Sequence, residues 1–451
     1  MISTRHETPL TSLDLTAEVD SVSVAPAVKG LRVAVVGYLV SILLGFGCQV
    51  LVATVLGPAG FGAFAVSLLL ATVLASLVNP GISSMVTKGT VESDPESSVA
   101  MGNGLFFAFA WGGLATLAGL SLAGVFHSHI FPNLPVGLIP MAMVAIVPML
   151  LFGYYGSAVI GLGRIGWFNA FLVVKESSLL ILVAFLIYRE ILSVETALAV
   201  WVLSQILTSG LLVLVGAMLT GFNLAFDLGA LYKAIHRGIK TYTTDVFSLL
   251  AFRVDLLLVA YFLPMSSAGV YAIILAFSTL IYSFSGVVAQ VLVIGSGNVA
   301  GPLITPRIIR MGWVISIPGA LALVGMGPTF LSWILGENSS FAYVPLLILL
   351  SGAALHTLTR IIGSDLDALI GEGSRGWMAL MTLLISIITG ILLIPRYGII
   401  GAATASTLAR VFAAVSLAQI YSRSAKVGLI RVMVGVSNRA RRNTGSGLGI
   451  V

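Results

Sequence analysis

Apolar stretches about as long as a bilayer is thick follow one another along nearly the whole chain, parted by short polar joints. A spanning helix needs about 20 mostly apolar residues. Twelve such runs can be read, at 31–56, 63–87, 102–126, 136–160, 167–187, 196–220, 241–263, 269–294, 311–335, 344–362, 377–394 and 399–420. The alternation of apolar and polar positions that marks a membrane barrel is absent. The pattern predicts an all-α polytopic membrane protein with twelve transmembrane helices, and no joint is long enough to hold a soluble domain.

Composition narrows the class further. Only 9% of the 451 residues are charged while 58% are hydrophobic, and the mean hydropathy is +1.08. Soluble domains carry roughly 25% charged residues, so this chain lacks the charge to coat a water-facing surface. A single cysteine, Cys48, lies inside an apolar run, which excludes a disulfide framework and a cysteine-based metal site.

The net charge of +6 is distributed by side rather than clustered. With twelve spans, both termini share one face. That face receives Arg5, Lys29, Arg32, Lys88, Arg164, Lys233, Arg237, Lys240, Arg307, Arg310 and Arg375, followed by Arg423, Lys426, Arg431, Arg439, Arg441 and Arg442 in the tail. The opposite face receives Arg189 and Arg396. The positive-inside rule therefore makes both termini cytoplasmic in a cell membrane, and the charge reads as topology, not as a nucleic-acid footprint. Residues 1–28 are polar and partly acidic, without the basic start and short apolar core of a signal peptide. They read as a disordered cytoplasmic tail, and residues 421–451 as a basic cytoplasmic one.

Two phrases recur half a chain apart. "AVIGLGRIGW" (Ala158 to Trp167) returns as "ALIGEGSRGW" (Ala368 to Trp377), with six of ten positions identical at an offset of 210. "LGPAGFGAFA" (Leu56 to Ala65) is echoed by "LPMSSAGVYA" (Leu263 to Ala272) at an offset of 207. Nearly equal offsets predict two six-helix bundles, residues 29–220 and 241–420, joined by a cytoplasmic linker at 221–240. Six is even, so both bundles insert in one direction. They are then related by an axis along the membrane normal, a transporter plan with the substrate between the halves. The glycines suit a tight hairpin and close helix approach, and Trp167 and Trp377 suit the membrane–water interface.

Three segments carry a family resemblance. "LGPAGFGAFAVSLLLATVLASL", "FRVDLLLVAYFLPMSSAGVYAI" and "IPRYGIIGAATASTLA" resemble the polysaccharide-transport branch of the flippase superfamily, which also holds the MATE multidrug transporters and the lipid II flippases. The resemblance runs from about residue 30 to 420. It implies a flippase, not an enzyme, that moves a lipid-linked oligosaccharide on an undecaprenyl diphosphate carrier by alternating access between V-shaped bundles. Implied partners are that substrate, membrane lipids and glycan-polymerising or assembly proteins, with no cofactor. The lipid II branch carries several cations on its first two helices. Here the first span has only Arg32 at its edge, which favours the polysaccharide branch.

Formal motifs fail their context tests. The triplets Gly161, Gly163, Gly166 and Gly371, Gly373, Gly376 match G-x-G-x-x-G, but apolar spans replace the required strand–helix unit. "DLD" at Asp365–Asp367 resembles a sugar-transferase metal motif, yet follows the tenth span on the cytoplasmic side. "HSH" at His127–His129 lacks a third metal ligand, and "NSS" at Asn338 matters only in a eukaryotic secretory host. No G-x-x-x-x-G-K-[ST] occurs, so no ATP is bound by a P-loop.

Charges within spans are the informative residues, since each costs several kcal/mol at the bilayer centre and usually faces a cavity or a partner. Lys175 and Glu176 lie in the fifth span, Arg253 and Asp255 in the seventh, and Arg410 in the twelfth. Asp245 and Arg360 sit nearer the cytoplasmic ends. Residues two apart point about 200° apart on a helix, so Arg253 and Asp255 cannot readily pair. Two readings stand: interhelical ion pairs that lock the bundle, or a hydrated cavity where Arg253, Lys175 and Arg410 bind a diphosphate–sugar head group and Asp255 and Glu176 couple an ion. Arginine's bidentate grip on phosphate places Arg253 first for binding. Rival functions are a drug–cation antiporter, which would favour mid-span carboxylates over cations, and a membrane sugar transferase or polymerase, which would need larger outer loops.

Overall fold

The computed structural model describes residues 24–92, 94–219, 225–295, 305–336, 339–370, 372–425 and 428–434. Most of both tails, and Asn338 and Gly371, lie outside the described residues. Among the described residues there are thirteen α-helices, one π-turn and no strand. They are α1 (Val24–Leu77), α2 (Ile82–Glu92), α3 (Asp94–Val125), α4 (Leu138–Met143), α5 (Ile146–Gly161), α6 (Ile165–Tyr188) and α7 (Val194–Leu219). After the linker come α8 (Leu228–Phe262), α9 (Met265–Gly295), α10 (Thr305–Leu335), α11 (Ser339–Ile370), α12 (Glu372–Ala425) and α13 (Leu429–Val434). Helices are what an apolar chain must form in lipid, because each closes its backbone hydrogen bonds within itself. Hydroxyls buried in these helices follow the same rule: Ser67, Thr72 and Thr90 donate to carbonyls four residues back at 2.8 Å.

Nine segments among the described residues are long and apolar enough to cross a membrane. Two are far too long for one crossing, Val35–Leu77 with 43 residues and Arg375–Ser424 with 50. Each contains a glycine in a non-helical conformation, Gly57 (φ 67°, ψ 178°) and Gly398 (φ 59°, ψ −137°). At these positive φ values the backbone disfavours L side chains, and Pro58 after Gly57 has no N–H to continue the ladder. α8 holds the 241–263 run but is set apart from the nine by Asp245, Arg253 and Asp255, three charges within one crossing length. Large side chains such as Leu117, Ile181, Val314 and Leu321 stand more than 60% exposed. An apolar coat of that extent belongs against lipid.

The helices differ from the sequence reading in four places. The 63–87 run is broken at Val78–Gly81, between the end of α1 and the start of α2. The 136–160 run is broken at Val144–Ala145 into α4 and α5. Pro148 explains the break, since its ring collides with the carbonyl four residues before it. α3 starts at Asp94, eight residues before the apolar run, and α8 starts at Leu228, so most of the 221–240 linker is helical. Asp227 caps α8 by accepting the Gly229 N–H at 2.7 Å.

The repeated phrase at 158–167 forms the α5–α6 hairpin. Gly163 N–H bonds Ile160 O and Arg164 N–H bonds Val159 O, with Gly163 at φ 73°. Gly161 is needed for a different reason: a Cβ there would collide with Thr90 Oγ1 and Thr87 O on α2. In the second copy, Gly376 lies against Thr244 of α8, where a Cβ would come within 2.8 Å of Oγ1. Gly163→Ala meets no steric obstacle, so its cost is the left-handed backbone alone, about 1–2 kcal/mol. The detergent-purified variant is expected to melt roughly 1–4 °C lower. Gly166→Ala, helical and with open space around it, is expected not to lower the melting temperature.

Candidate functional site

A cavity of about 350 Å³ lies between α1, α6, α8 and α9. Periodicity explains which side chains enter it. Ser41, Gly45 and Gln49 fall four apart on one face of the first arm of α1, and Thr279 and Ser283 likewise on α9. The second arm of α1 adds Phe61, Phe64, Leu68 and Thr72. The charged groups are Glu176 from α6 and Arg253 from α8. The lining thus offers hydroxyls, an amide, aromatic faces, one cation and one carboxylate.

Of the five charges that the sequence singles out, only Arg253 and Glu176 line this cavity. Glu176 Oε1 is 3.4 Å from Lys175 Nζ, with both side chains about one-fifth exposed. Gly45 clears its path, since a Cβ there would stand 3.0 Å from Glu176 Oε2. Lys175 also packs its ammonium 5.3 Å from the Phe152 ring centre. Arg253 rests its guanidinium 5.2 Å from the Phe252 ring centre and has no carboxylate within 4 Å among the described residues.

Asp255 and Arg410 lie elsewhere, inside the second half of the molecule. Asp255 is 2% exposed, with Oδ2 accepting from Tyr271 Oη at 2.8 Å and Oδ1 from the Leu256 N–H at 2.8 Å. Arg410 is 5% exposed, and its guanidinium stands 4.9 Å from the Phe252 ring centre. The hydroxyl and amide positions, Phe252 and Tyr271 were missed by a reading that looked for charge. The four-residue spacing of Ser41, Gly45 and Gln49 inside an apolar run was the available signal.

Close helix contacts lie toward both ends of the second arm of α1. At the Gly57 end, the second arm of α1 crosses the start of α9 backbone to backbone. A Cβ on Gly62 would lie 2.7 Å from Gly269 N and would overlap Met265 O; one on Gly269 would lie 2.9 Å from Gly62 N and would overlap Pro58 O. Gly62 and Gly269, like Pro58 and Met265, are separated by 207 residues, the offset of the second echo. The contact is therefore reciprocal, residue for residue. The second arm of α1 is about 30 Å long, which puts the linker at the opposite end. There Gly81 (φ 79°) meets Gly238, Tyr242 Oη donates to Leu77 O, and the Asn103 amide forms two 3.0 Å bonds with the backbone N–H and C=O of Asp227.

A second, almost wholly apolar crevice of about 480 Å³ runs beside the first. The same two helices divide them. α1 turns Leu68 and Thr72 to the cavity but Leu70 and Leu74 to the crevice; α8 turns Arg253 and Leu256 to the cavity but Leu257 and Leu258 to the crevice.

No group of three or more His, Cys, Asp or Glu side chains among the described residues could hold a metal ion. His127 and His129 lie in the π-turn Phe126–Ile130, and the side chains of Asp365 and Asp367 lie outside the described residues.

This arrangement, long apolar helices around a central cavity, is shared by solved structures. The lipid II flippase MurJ in an inward closed conformation superposes with a TM-score of 0.72 over 88% of each chain, at 16% identity. An inward-facing multidrug resistance MATE family transporter of the MOP superfamily gives 0.65 over 86% of this chain and 96% of that one, at 12% identity. A MOP superfamily transporter from Pyrococcus furiosus, described by the reverse polarity of its binding pocket, gives 0.63 over 88% and 96%, at 14% identity. The chain shares the fold of these solved transporters and flippase. No family model and no curated protein matches the chain.

Proposed function

We propose that this protein is a flippase, not an enzyme, that carries a lipid-linked oligosaccharide across the cytoplasmic membrane by alternating access, as twelve helices in two six-helix bundles. The observation that carries this reading is a cavity whose mainly apolar wall holds hydroxyls, an amide and two charges, set beside an almost wholly apolar crevice, with α1 and α8 lining both. Such a pair suits an amphiphile. Its sugars meet Ser41, Gln49, Thr72, Thr279 and Ser283, its diphosphate meets Arg253, and its polyprenyl chain lies along Leu70, Leu74, Leu257 and Leu258. The chain joins head to tail between the two helices. Glycan-polymerising proteins outside would consume the product. The reciprocal contact of Gly62 and Gly269 supports the two-bundle plan, because equivalent residues meet only on a twofold axis.

Glu176 in the cavity favours one rival, a drug–cation antiporter, since a carboxylate lining the cavity attracts a cation. Sealed proteoliposomes separate the two. The flippase reading expects a fluorescent undecaprenyl-diphosphate oligosaccharide to cross at a protein-dependent rate while a lipophilic cation does not. Cation exchange against protons or sodium, with the lipid immobile, would establish the antiporter instead.

The topology carries its own expectation. In a Cys48→Ala background, cysteines at Ser128 and Ser339 should react with an impermeant maleimide in intact cells, whereas one at Lys233 should react only after permeabilisation. The reverse pattern would invert the protein in the membrane.

A further inference from the structure

The second half of the molecule contains a buried cation with no hydrogen-bond acceptor among the described residues. All three guanidinium nitrogens of Arg410, Nε, Nη1 and Nη2, are buried and without a hydrogen-bond acceptor among the described residues. The side chain is nineteen-twentieths buried. Leaving such a charge uncompensated in a low-dielectric interior costs several kcal/mol, so interiors supply it with a partner.

The surroundings limit what that partner is. Arg410, on α12, reaches toward three other helices: Phe252 and Asp255 on α8, Tyr271 and Tyr282 on α9, and His356 on α11. Gly352 on α11 makes room for its stem, since a Cβ there would stand 3.3 Å from Arg410 Cδ. Asp255 is the one carboxylate in electrostatic reach, but both its oxygens are occupied, by Tyr271 Oη and the Leu256 N–H, and neither lies within 4 Å of the guanidinium. Arg253 is a second cation in reach of the same group. Two guanidinium groups against one carboxylate leave one positive charge over. Arg410 does not line the central cavity, so a bulky head group there does not compensate it.

We propose that Arg410 is the centre of a buried site for a small monovalent inorganic anion, chloride in the cell, enclosed by the Phe252, Tyr282 and His356 rings. The anion supplies the acceptors that the guanidinium lacks and cancels the excess charge. It is a resident counter-ion that ties α8, α9, α11 and α12 together and is separate from the transported substrate. The site stands whether the cargo is a lipid or a drug.

The test uses full-length protein in detergent at constant ionic strength, with sodium chloride or bromide replacing sodium gluconate. The wild type is expected to show a saturable rise in melting temperature, and to broaden the ³⁵Cl resonance in a manner reversed by bromide. Arg410→Gln should lose both responses, and Lys175→Gln, which removes a distant charge, should keep them. If Arg410→Gln does not fold, Arg410→Lys retains the charge in the wrong shape and should shift the halide midpoint at least tenfold. A wild type indifferent to halide, an Arg410→Gln protein that still responds, or an unshifted midpoint in Arg410→Lys overturns the proposal. So does a saturable response to inorganic phosphate with none to halide, which would assign Arg410 to a phosphate-bearing head group.

Discussion

Gly269→Leu should abolish transport while leaving a folded, membrane-inserted protein. At this position the neighbours are backbone: a single Cβ would already overlap Pro58 O and crowd Gly62 N. Overpacking a core typically costs about 1–3 kcal/mol even where side chains can yield; here nothing can yield except the helices themselves. The arms of α1 and α9 must separate, and that end of the cavity then stays open. Gly62→Leu should behave the same way, because Gly62 presses on Met265 O and Gly269 N in return. The double variant should be scarcely worse than either single one, since residues sharing a contact do not add. Two measurements check this. Export of the glycan should fall to background, and a cysteine at Phe61, in a Cys48→Ala background, should become reactive to an impermeant maleimide from the Gly57 side. Full transport in Gly269→Leu would show that the two arms never need to close.

Arg253→Gln carries the second large effect. The side chain lines the cavity, rests on Phe252 and has no carboxylate within 4 Å among the described residues, so removing its charge strands no internal partner. Folding and insertion should be little changed. Losing one charged contact in a desolvated site costs about 2–5 kcal/mol, which is a loss of roughly 30-fold or more in affinity for an anionic head group. Export at normal protein level should collapse, and Arg253→Lys should restore only part of it, because an ammonium lacks the bidentate fork. Unchanged export would leave Arg253 a structural residue.

The sequence made the class legible because a membrane imposes a long, one-dimensional pattern that survives without tertiary knowledge. It made the hairpin at Gly161–Gly163 legible too, since glycine at a turn is a local requirement. What it hid was contact between distant segments. Asp255 and Arg410 look alike from the pattern, two charges within apolar runs; only packing shows that one is held by Tyr271 and the other by no acceptor among the described residues. Lys175 and Glu176 are adjacent in sequence, yet one lines the cavity and the other packs on Phe152. The echo at offset 207 was visible as a repetition of letters. That its two central glycines press on each other was not, because no one-dimensional pattern encodes which of many small residues approach.

The contact at the linker end has a consequence for tolerance of change. Asn103 is wholly buried and grips a peptide unit, the N–H and C=O of residue 227, with no part of the Asp227 side chain involved. Any residue but proline presents that unit, so replacing Asp227 forfeits a helix cap and spares the latch. Replacing Asn103, by contrast, removes both bonds at once and leaves two backbone groups without their partners. One side of this junction accepts any residue but proline at the loss of a cap, while the other needs the paired donor and acceptor of asparagine.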